Sequence, residues 1–252
     1  MSPSAPSARR NRSYWDGIAD EYQALHGRRL SPARPAWGVW RIPESRLQVL
    51  GDPRGRDLLE LGCGAAQWSI ALARAGGRPV GLDNSGHQLD HARRLARRAG
   101  VRVPLVHASA EDVPFGDTAF DVVFCDHGAM SFADPRRTVP ECARLLRPGG
   151  LLAFCHESSF SHVCTSDGRG TQVAALRRDY FGDRRHDSEA HVEYHPGYGE
   201  WIGLFRESGL AVEALIELRP AANATTSYRG WSREWARRWP AENLWKVRKE
   251  KR

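Results

Sequence analysis

Long apolar runs are missing from this chain of 252 residues. No stretch approaches the ~20 apolar residues that cross a bilayer, and the polar segment 1–12 lacks the apolar core of a secretory signal. From these absences we expect a cytoplasmic protein that does not contact a membrane. Hydrophobic residues make up 41% of the chain, which is enough to build the core of one domain of this size.

Cysteine is also scarce, with five residues, none of them in a Cys-x-x-Cys pair. This number and spacing favour neither a disulfide framework nor a structural zinc site. Cys63, Cys125 and Cys155 fall at or near the ends of predicted strands, where we expect buried thiols.

Acidic residues are fewer than basic ones, which gives a formal net charge of +7 and a pI of about 9.5. Part of this charge lies on one predicted amphipathic helix, where arginines suit a solvated face: Arg93, Arg94, Arg97 and Arg98. Neither an RNA-binding module nor a ribbon of stacking aromatics accompanies the charge, so we do not expect a nucleic-acid partner.

What the sequence does contain is dominated by residues 57–83. Three leucines between positions 58 and 61 form a short apolar run that ends at Gly62, as in a strand buried in a parallel sheet. A helix follows the turn and stops at a Gly-Gly pair, and the next strand ends in Asp83. This order is that of a nucleoside-binding βαβ unit, in which the acid accepts hydrogen bonds from ribose hydroxyls.

The turn lacks the third glycine of the dinucleotide fingerprint Gly-x-Gly-x-x-Gly. The third position after Gly64 is Gln67, followed by Trp68, and a pyrophosphate at this helix N-terminus would meet both side chains. The sequence therefore disfavours an NAD-dependent dehydrogenase.

Strands and helices alternate along the rest of the chain, which predicts an α/β fold with a doubly wound, mostly parallel sheet. The functional site of such a sheet lies at the carboxyl ends of its strands. Residues 158–197 interrupt the alternation with a polar, His-rich sequence and a helix predicted near 171–180. A long insertion of this kind suits a substrate lid.

The domain organisation that we predict is a disordered tail over residues 1–10 and a single domain over 11–252. Within that domain, residues 11–50 form an N-terminal helical cap and residues 158–197 form the lid insertion. The first helix of the cap has aromatic and aliphatic residues on one apolar face: Tyr14, Trp15, Ile18, Tyr22 and Leu25.

Three motifs carry a resemblance to a known family. Glu60-Leu-Gly-Cys-Gly64, then Gly81-Leu-Asp83, and later Leu146-Arg-Pro-Gly-Gly150 resemble the motif set of class I (Rossmann-like) S-adenosylmethionine (SAM) methyltransferases. The chain is similar to the small-molecule type of the ubiquinone and menaquinone biosynthesis group. The resemblance implies a seven-stranded sheet whose last strand is antiparallel, with N-terminal helices that close over SAM and substrate.

The resemblance also implies SAM-binding residues. The glycine turn would follow the methionine end of SAM, Asp83 would bind the ribose, and Glu60 would either hold the turn or reach the amino group. Many relatives carry Asp where this chain has Ser109, so Ser109 or Glu111 would replace its contact with the adenine amino group. The expected cofactor-binding set is Tyr22, Glu60, Gly62, Cys63, Gly64, Asp83, Asn84, Ser109, Ala110, Glu111 and Asp126, with Trp40 and Arg41 as further candidates.

Two histidines are candidate catalytic bases, because each follows a predicted strand at the edge where ligands bind. His127 follows the fourth strand and His156 follows the fifth, and an imidazole titrates near neutrality. A base is needed only when the methyl acceptor is protonated at the working pH. Alternatively, His127 packs on SAM or orients Asp126.

A third polar group lies in the insertion, where His191, Glu193 and His195 alternate and so would share one strand face, with Tyr198 nearby. We interpret them as exposed polar strand residues. No metal site is predicted, because the usual acidic ligand pattern of metal-dependent methyltransferases is absent.

The resemblance implies a SAM-dependent methyltransferase that acts on an O or N atom, or else a C atom, of a small molecule in specialised metabolism. Its product would be S-adenosyl-L-homocysteine. The alternatives are a tRNA or protein methyltransferase, suggested by the positive charge, and a SAM-binding protein that does not methylate. We expect a monomer or a homodimer.

Overall fold

The computed structural model describes residues 5–166 and 170–251. The helices are α1 (Pro6–His26), α2 (Glu44–Leu47), α3 (Gln67–Arg74), α4 (Gly86–Ala99), α5 (Ala129–Phe132), α6 (Pro135–Leu145), α7 (Ser159–Val163), α8 (Tyr198–Glu207) and α9 (Arg233–Ala236). The strands are β1 (Ala36–Trp37), β2 (Ile42–Pro43), β3 (Asp57–Leu61), β4 (Arg78–Asp83), β5 (Leu105–His107), β6 (Phe120–Asp126), β7 (Leu146–Glu157), β8 (Arg185–Asp187), β9 (Val192–Tyr194), β10 (Leu210–Leu218) and β11 (Glu242–Lys249).

The central sheet has seven strands in the spatial order β10-β11-β7-β6-β3-β4-β5. The neighbours from β7 to β5 pair in parallel. Strand β11 lies between β7 and β10 and runs antiparallel to both. The predicted doubly wound, mostly parallel sheet of seven strands with an antiparallel last strand is therefore confirmed.

Alternate residues of the central strands supply two hydrophobic cores, one on each face of the sheet. Leu59 of β3 belongs to the core that includes Trp201 of α8. Its neighbour Leu58 belongs to the core that includes Trp68 of α3. The inner strands β3 and β6 are buried over most of their length, which explains why their sequences are nearly continuous apolar runs.

The first helix begins earlier than the sequence predicted. Helix α1 begins at Pro6, so the prediction of a disordered tail over residues 1–10 is wrong for residues 6–10, while residues 1–4 lie outside the described residues. The side-chain amide of Asn11 donates to the carbonyls of Phe132 (2.6 Å) and Val192 (2.9 Å) and accepts from the Val192 amide (2.7 Å). These tertiary contacts stabilise a first turn that local propensity does not predict.

The insertion over 158–197 leaves the sheet after β7, but its helix lies elsewhere than predicted. Helix α7 occupies the start of the insertion, and residues 171–180 are not helical. The Val173 amide donates instead to the Cys164 carbonyl (2.9 Å), and Gln172 forms an antiparallel bridge with Thr165. Pairing with the segment just after α7 has overridden the helical pattern here.

The structure bears on the cysteines and on the search for membrane-spanning helices. All five cysteines are free and buried, as predicted for Cys63, Cys125 and Cys155. Among the described residues, no helix is both long enough and apolar enough to cross a membrane.

Candidate active site

The glycine turn follows β3 at the switch point of the sheet, where β4 and β6 lie on opposite sides of β3. Gly62 has φ +66° and Gly64 has φ +52°, in the left-handed region that favours glycine. A Cβ atom on Gly62 would lie 2.5 Å from the Ala129 backbone nitrogen, whereas one on Gly64 would have no neighbour nearer than 3.8 Å. The turn is therefore packed on backbone at Gly62 and open at Gly64.

This difference predicts unequal effects of two alanine substitutions. Each adds about 1–2 kcal/mol of strain from the left-handed backbone, but only Gly62→Ala also drives a methyl group into the backbone of Ala129. In urea unfolding, we expect Gly62→Ala to lose at least about 2 kcal/mol more stability than Gly64→Ala. Equal losses would contradict the packing described for this turn.

Asp83 ends β4 and fixes the glycine turn. One carboxylate oxygen accepts from the Gly64 amide and the other from the Ser85 amide, both at 2.8 Å. Burial raises the pKa of this carboxyl group, which is 9% exposed. Ser85 in turn caps α4, as its position suggests, by accepting from the Gln88 amide. The predicted ribose acid thus lies at the edge of the glycine turn.

Glu60 faces the helix that follows the turn. Its Oε2 atom accepts from both the amide (2.9 Å) and the hydroxyl (2.6 Å) of Ser69 in α3. Burial raises the pKa of Glu60 to about 8. Of the two roles expected for Glu60, these contacts support that of holding the turn.

Cys63 lies in the glycine turn and contacts β4. The Cys63 amide donates to the Leu82 carbonyl (2.9 Å), and its sulfur packs so close to Gly81 that a Cβ atom there would lie 2.9 Å away. Both the main chain and the side chain of Cys63 thus join the turn to β4.

A cleft lies at the ends of β3, β4 and β6, and we call it the strand-end cleft. Its lining includes Trp15, His127 and most of the expected cofactor-binding set: Tyr22, Gly62, Gly64, Asp83, Asn84, Ser109, Ala110 and Asp126. Glu111 is absent from this lining among the described residues. It accepts instead from the Asp134 amide (3.1 Å) and pairs with Arg137 (3.3 Å). The expectation that Glu111 contacts the cofactor is therefore corrected, because its carboxylate is committed to the start of α6.

Helix α1 forms one wall of the cleft. The side-chain amide of Asn84 donates to the Ala8 carbonyl (2.7 Å) and its oxygen accepts from Arg12 (3.1 Å), which ties α1 to the end of β4. Tyr22 lies further along α1, and its hydroxyl is 2.7 Å from that of Tyr228. Burial raises the pKa of Tyr22 to about 12, so this phenol stays protonated.

The segment after α1 completes the wall. The guanidinium of Arg41 donates to the Ala36 (3.0 Å) and Arg34 (2.9 Å) carbonyls, and Arg41 lines the adjoining cavity. Trp40 is 5% exposed and does not line either cavity among the described residues. Of these two further candidates, only Arg41 faces the site.

A larger cavity of about 910 Å³ adjoins the cleft and extends under the insertion. We call the far end of this cavity the insertion chamber. Its walls include Glu157, His162, Arg178, Glu193 and His195. The two cavities share seven described residues: Trp15, Tyr22, Gly62, Gly64, Asp126, His127 and Phe132. A volume of this size is typical of a small-molecule pocket.

His127 lies where the two cavities meet. Its backbone has φ +54°, and its amide donates to the Cys155 carbonyl (2.9 Å). Its Nε2 atom is 2.5 Å from an oxygen of Glu242. Burial alone would lower the pKa of His127, but the hydrogen bond to Glu242 and the charges of Glu242 and Asp126 outweigh burial and raise it. This imidazole is therefore more basic than an ordinary histidine.

Asp126 and Glu242 each bind a backbone amide of the cap. Asp126 accepts from the Gly38 amide (2.9 Å), and Glu242 accepts from the Val39 amide (2.7 Å). Burial raises the pKa of Asp126. A Cβ atom on Gly38 would lie 2.4 Å from a Glu242 oxygen, so glycine is required at this position. The cap is thereby fastened to the residues around His127.

His156 lies away from both cavities. Side chains alternate along β7, so His156 shares its face with Phe154 and packs on Trp201 of α8 (ring centroids 5.4 Å apart). Its Nε2 atom accepts from the Trp245 indole (3.2 Å), and burial lowers its pKa to about 3. The expectation that His156 is a catalytic base is corrected, because the residue that β7 presents to the site is Glu157.

The insertion chamber is polar and its groups contact one another. The imidazoles of His162 and His195 stack with centroids 3.8 Å apart, and the guanidinium of Arg178 lies 3.1 Å from His162. Burial and the nearby positive groups lower the pKa of His162 to about 3. His195 lies 3.7 Å from Glu157 and 3.4 Å from Glu193.

Of the alternating trio, Glu193 and His195 line this chamber and His191 lies beside them. His195 is only 6% exposed, so the interpretation of the trio as exposed polar strand residues is wrong. Glu193 lies 3.5 Å from His191 as well as near His195, and although burial favours its neutral form, the two histidines lower its pKa. Glu157, His162 and His195 present ligand-type atoms within 4.8 Å of one another. Their stacked rings and the guanidinium on His162 suit hydrogen bonding to a ligand better than a cation. Tyr198 begins α8 and packs in the core beside that helix.

Sequence reasoning missed the contributions of the C-terminal third. Glu242 begins β11, and Tyr228 and Trp231 lie in the loop before α9. The ring of Trp231 meets that of His127 edge to face (5.9 Å). No local motif marks these residues, since each reaches the site through contacts with segments far away in the sequence.

The strand order, the glycine turn and the acid at the end of β4 define an α/β nucleoside-binding protein of the class I methyltransferase type. A family model described as a methyltransferase domain matches residues 59–154. A demethylmenaquinone methyltransferase of Bacillus licheniformis is 33% identical over 212 residues, which cover 77% of this chain and 85% of that protein. The chain belongs to the methyltransferase family. It is a SAM-dependent methyltransferase of the small-molecule type, similar to the menaquinone group.

Solved structures share the fold. A putative SAM-dependent methyltransferase from Listeria monocytogenes has a TM-score of 0.68 and 20% identity, over 82% of this chain and 96% of that one. A 1,6-didemethyltoxoflavin-N1-methyltransferase of Burkholderia thailandensis, with bound 1,6-didemethyltoxoflavin and S-adenosylhomocysteine, has a TM-score of 0.61 and 18% identity, over 99% and 93%.

The residues of the strand-end cleft fit SAM, the cofactor of this family. The open side of Gly64 gives the methionine portion close access to the main chain, as a Cβ atom there would have no neighbour nearer than 3.8 Å. Asp83 offers a buried carboxylate as a ribose acceptor, and Ser109 and Ala110 line the expected adenine end. Gln67 begins α3 at the position of the third glycine of the dinucleotide fingerprint, which favours a nucleoside without phosphates.

Proposed function

We propose that this protein methylates an oxygen or nitrogen atom of a small polar molecule in specialised metabolism, with His127 as the base. One observation carries the proposal: His127 lies at the junction of the strand-end cleft and the insertion chamber. A group at that junction can touch both the methyl donor and the acceptor.

Bound SAM supplies a methyl group that its sulfonium already makes electrophilic. The chain has to align the acceptor with that methyl group in a site without water. Asp83 and the glycine turn would hold the donor, and α1 with Tyr22 would cover it. His127 would accept the proton of an acceptor that is protonated at neutral pH, such as a phenol or an ammonium group.

The lining of the insertion chamber favours a polar acceptor. Arg178, Glu193 and the stacked His162 and His195 place charges and hydrogen-bonding groups on one wall. A quinone with a long apolar chain would cover these groups without offering them partners, which costs about 1–3 kcal/mol for each buried group. The B. licheniformis relative is named for demethylmenaquinone, and this chamber predicts a more polar substrate here.

The proposal is tested by incubating the protein with SAM and fractions of a cell extract and measuring S-adenosylhomocysteine release. We expect release with a fraction of small polar compounds and none with demethylmenaquinone. Mass spectrometry of the product then identifies the methylated atom. Release with demethylmenaquinone alone, or with tRNA alone, would contradict the proposal.

A further inference from the structure

Glu242 is the most deeply buried carboxylate near the site and has an unusual set of contacts. The residue is 0% exposed, and one oxygen contacts His127 Nε2 (2.5 Å) and accepts from the Val39 amide (2.7 Å). Its other oxygen has no hydrogen-bond partner in the described parts of the chain. A buried carboxylate with an unpartnered oxygen is destabilising unless a positive group compensates for it. The neighbouring group that becomes positive, on accepting a proton, is the imidazole of His127.

We propose that Glu242 is the positioning residue of this methyltransferase, holding His127 through Nε2 so that Nδ1 accepts the proton of the methyl acceptor. The inference rests on the proposed function. An ionised carboxylate can only accept hydrogen bonds, so Nε2 of His127 carries the proton and Nδ1 keeps its lone pair. A buried acid orients an imidazole base in the same way in other enzymes.

The chemical step balances with these groups. The acceptor atom forms a bond to the methyl carbon, and the electrons of the broken C–S bond remain on sulfur in S-adenosylhomocysteine. The proton of the acceptor moves to Nδ1 of His127. The resulting imidazolium faces the negative charge of Glu242 and later releases its proton to solvent.

The other groups around His127 act mostly in the same direction. Asp126 on the same strand and Glu157 on β7 add negative charge, and both favour the imidazolium. Cys155 lies next to the Glu242 oxygen (3.9 Å) with a pKa well above its ordinary value because of burial, so the thiol is neutral. His156 is a further neighbour with a lowered pKa and is neutral near pH 7. Arg41 is close to Asp126 and partly offsets that carboxylate.

The first test needs neither SAM nor an acceptor, so it stays informative if the proposed function fails. Histidine NMR of the full chain would follow the Cε1 signal of His127, assigned by its loss in His127→Asn. In wild type we expect His127 to titrate above the ordinary value of about 6.5, and in Glu242→Gln about one pH unit lower or more. Unchanged titration in Glu242→Gln would overturn the inference.

The second test is a pH–rate profile with the acceptor found in the screen. In Glu242→Gln we expect the plateau kcat to fall about tenfold or more, and the acid limb to move to lower pH, because a weaker base loses its proton earlier. A residue with only a structural role would lower the rate at all pH values without moving the limb, and that result would also overturn the inference.

Two further variants complete the design. Glu44→Gln is the matched control. Like Glu242, Glu44 accepts from a backbone amide (Leu50, 2.7 Å) and from a side-chain ring nitrogen (the Trp37 indole, 2.6 Å). It does not touch His127, and we expect the wild-type titration and pH profile. If Glu242→Gln does not fold, Glu242→Asp keeps the charge at a greater distance and should shift the His127 titration down by a smaller amount. An unchanged His127 titration in Glu242→Asp would then contradict the proposed action of Glu242 on His127.

Discussion

Replacement of Asp83 by alanine should lower the affinity for SAM at least about a hundredfold, as measured by isothermal titration calorimetry. Two losses add up in this variant. A hydrogen bond from a ribose hydroxyl to a carboxylate is worth about 1.5–3 kcal/mol, and each 1.4 kcal/mol is tenfold in affinity. The Gly64 and Ser85 amides also lose the acceptors that fix the turn.

The control for this substitution is Asp117→Ala. Asp117 is exposed and pairs with Arg144 on the surface (2.8 Å), outside the lining of both cavities. Calorimetry with this variant should give the wild-type affinity, and circular dichroism should show that both variants are folded. A folded Asp83→Ala protein that binds SAM as tightly as wild type would remove Asp83 from the cofactor site.

Replacement of His127 should lower kcat by about 100- to 10,000-fold, the usual contribution of a general base. Asparagine is the appropriate substitute, because His127 has φ +54° and asparagine adopts this left-handed conformation more readily than alanine. The expected SAM affinity is within about threefold of wild type, since the imidazole acts on the acceptor.

The result that would contradict this role is a pair of equal losses in kcat and in SAM affinity, which would place His127 in cofactor binding. Acceptor chemistry supplies a further check. For an acceptor that is already deprotonated at the working pH, kcat of His127→Asn should recover most of the lost activity, because no proton has to be removed.

Local patterns were sufficient to predict the βαβ unit that lines the strand-end cleft. The three leucines before Gly62, the paired glycines and the acid that ends β4 are all determined by neighbours within one βαβ unit. Gln67 also argued against a dinucleotide cofactor, because it replaces the third glycine of the fingerprint that binds a pyrophosphate. The parallel pairing of the central strands followed from the same alternation of strands and helices, whereas the antiparallel last strand was implied by the resemblance.

The rest of the site depends on contacts between distant segments, which local patterns do not encode. His156 and Glu157 are adjacent in sequence, and only the register of β7 decides which of them faces the cavity. The sequence predicts that Glu111 contacts adenine, but its carboxylate accepts from the Asp134 amide at the start of α6. Glu242 was missed because β11 brings it to His127 across 115 positions of sequence.

The same separation governs the order in which the enzyme is completed during synthesis. Every residue of the glycine turn, of β4 and of the His127 loop precedes position 242 in the chain. The nascent polypeptide can therefore assemble its nucleoside cradle long before β11 arrives between β7 and β10. Until that strand is inserted, the imidazole lacks its buried counterion and the amide of Val39 lacks its acceptor. We therefore expect a chain shortened before Glu242 not to methylate an acceptor, and to be less stable because Leu244 and Trp245 belong to the two hydrophobic cores.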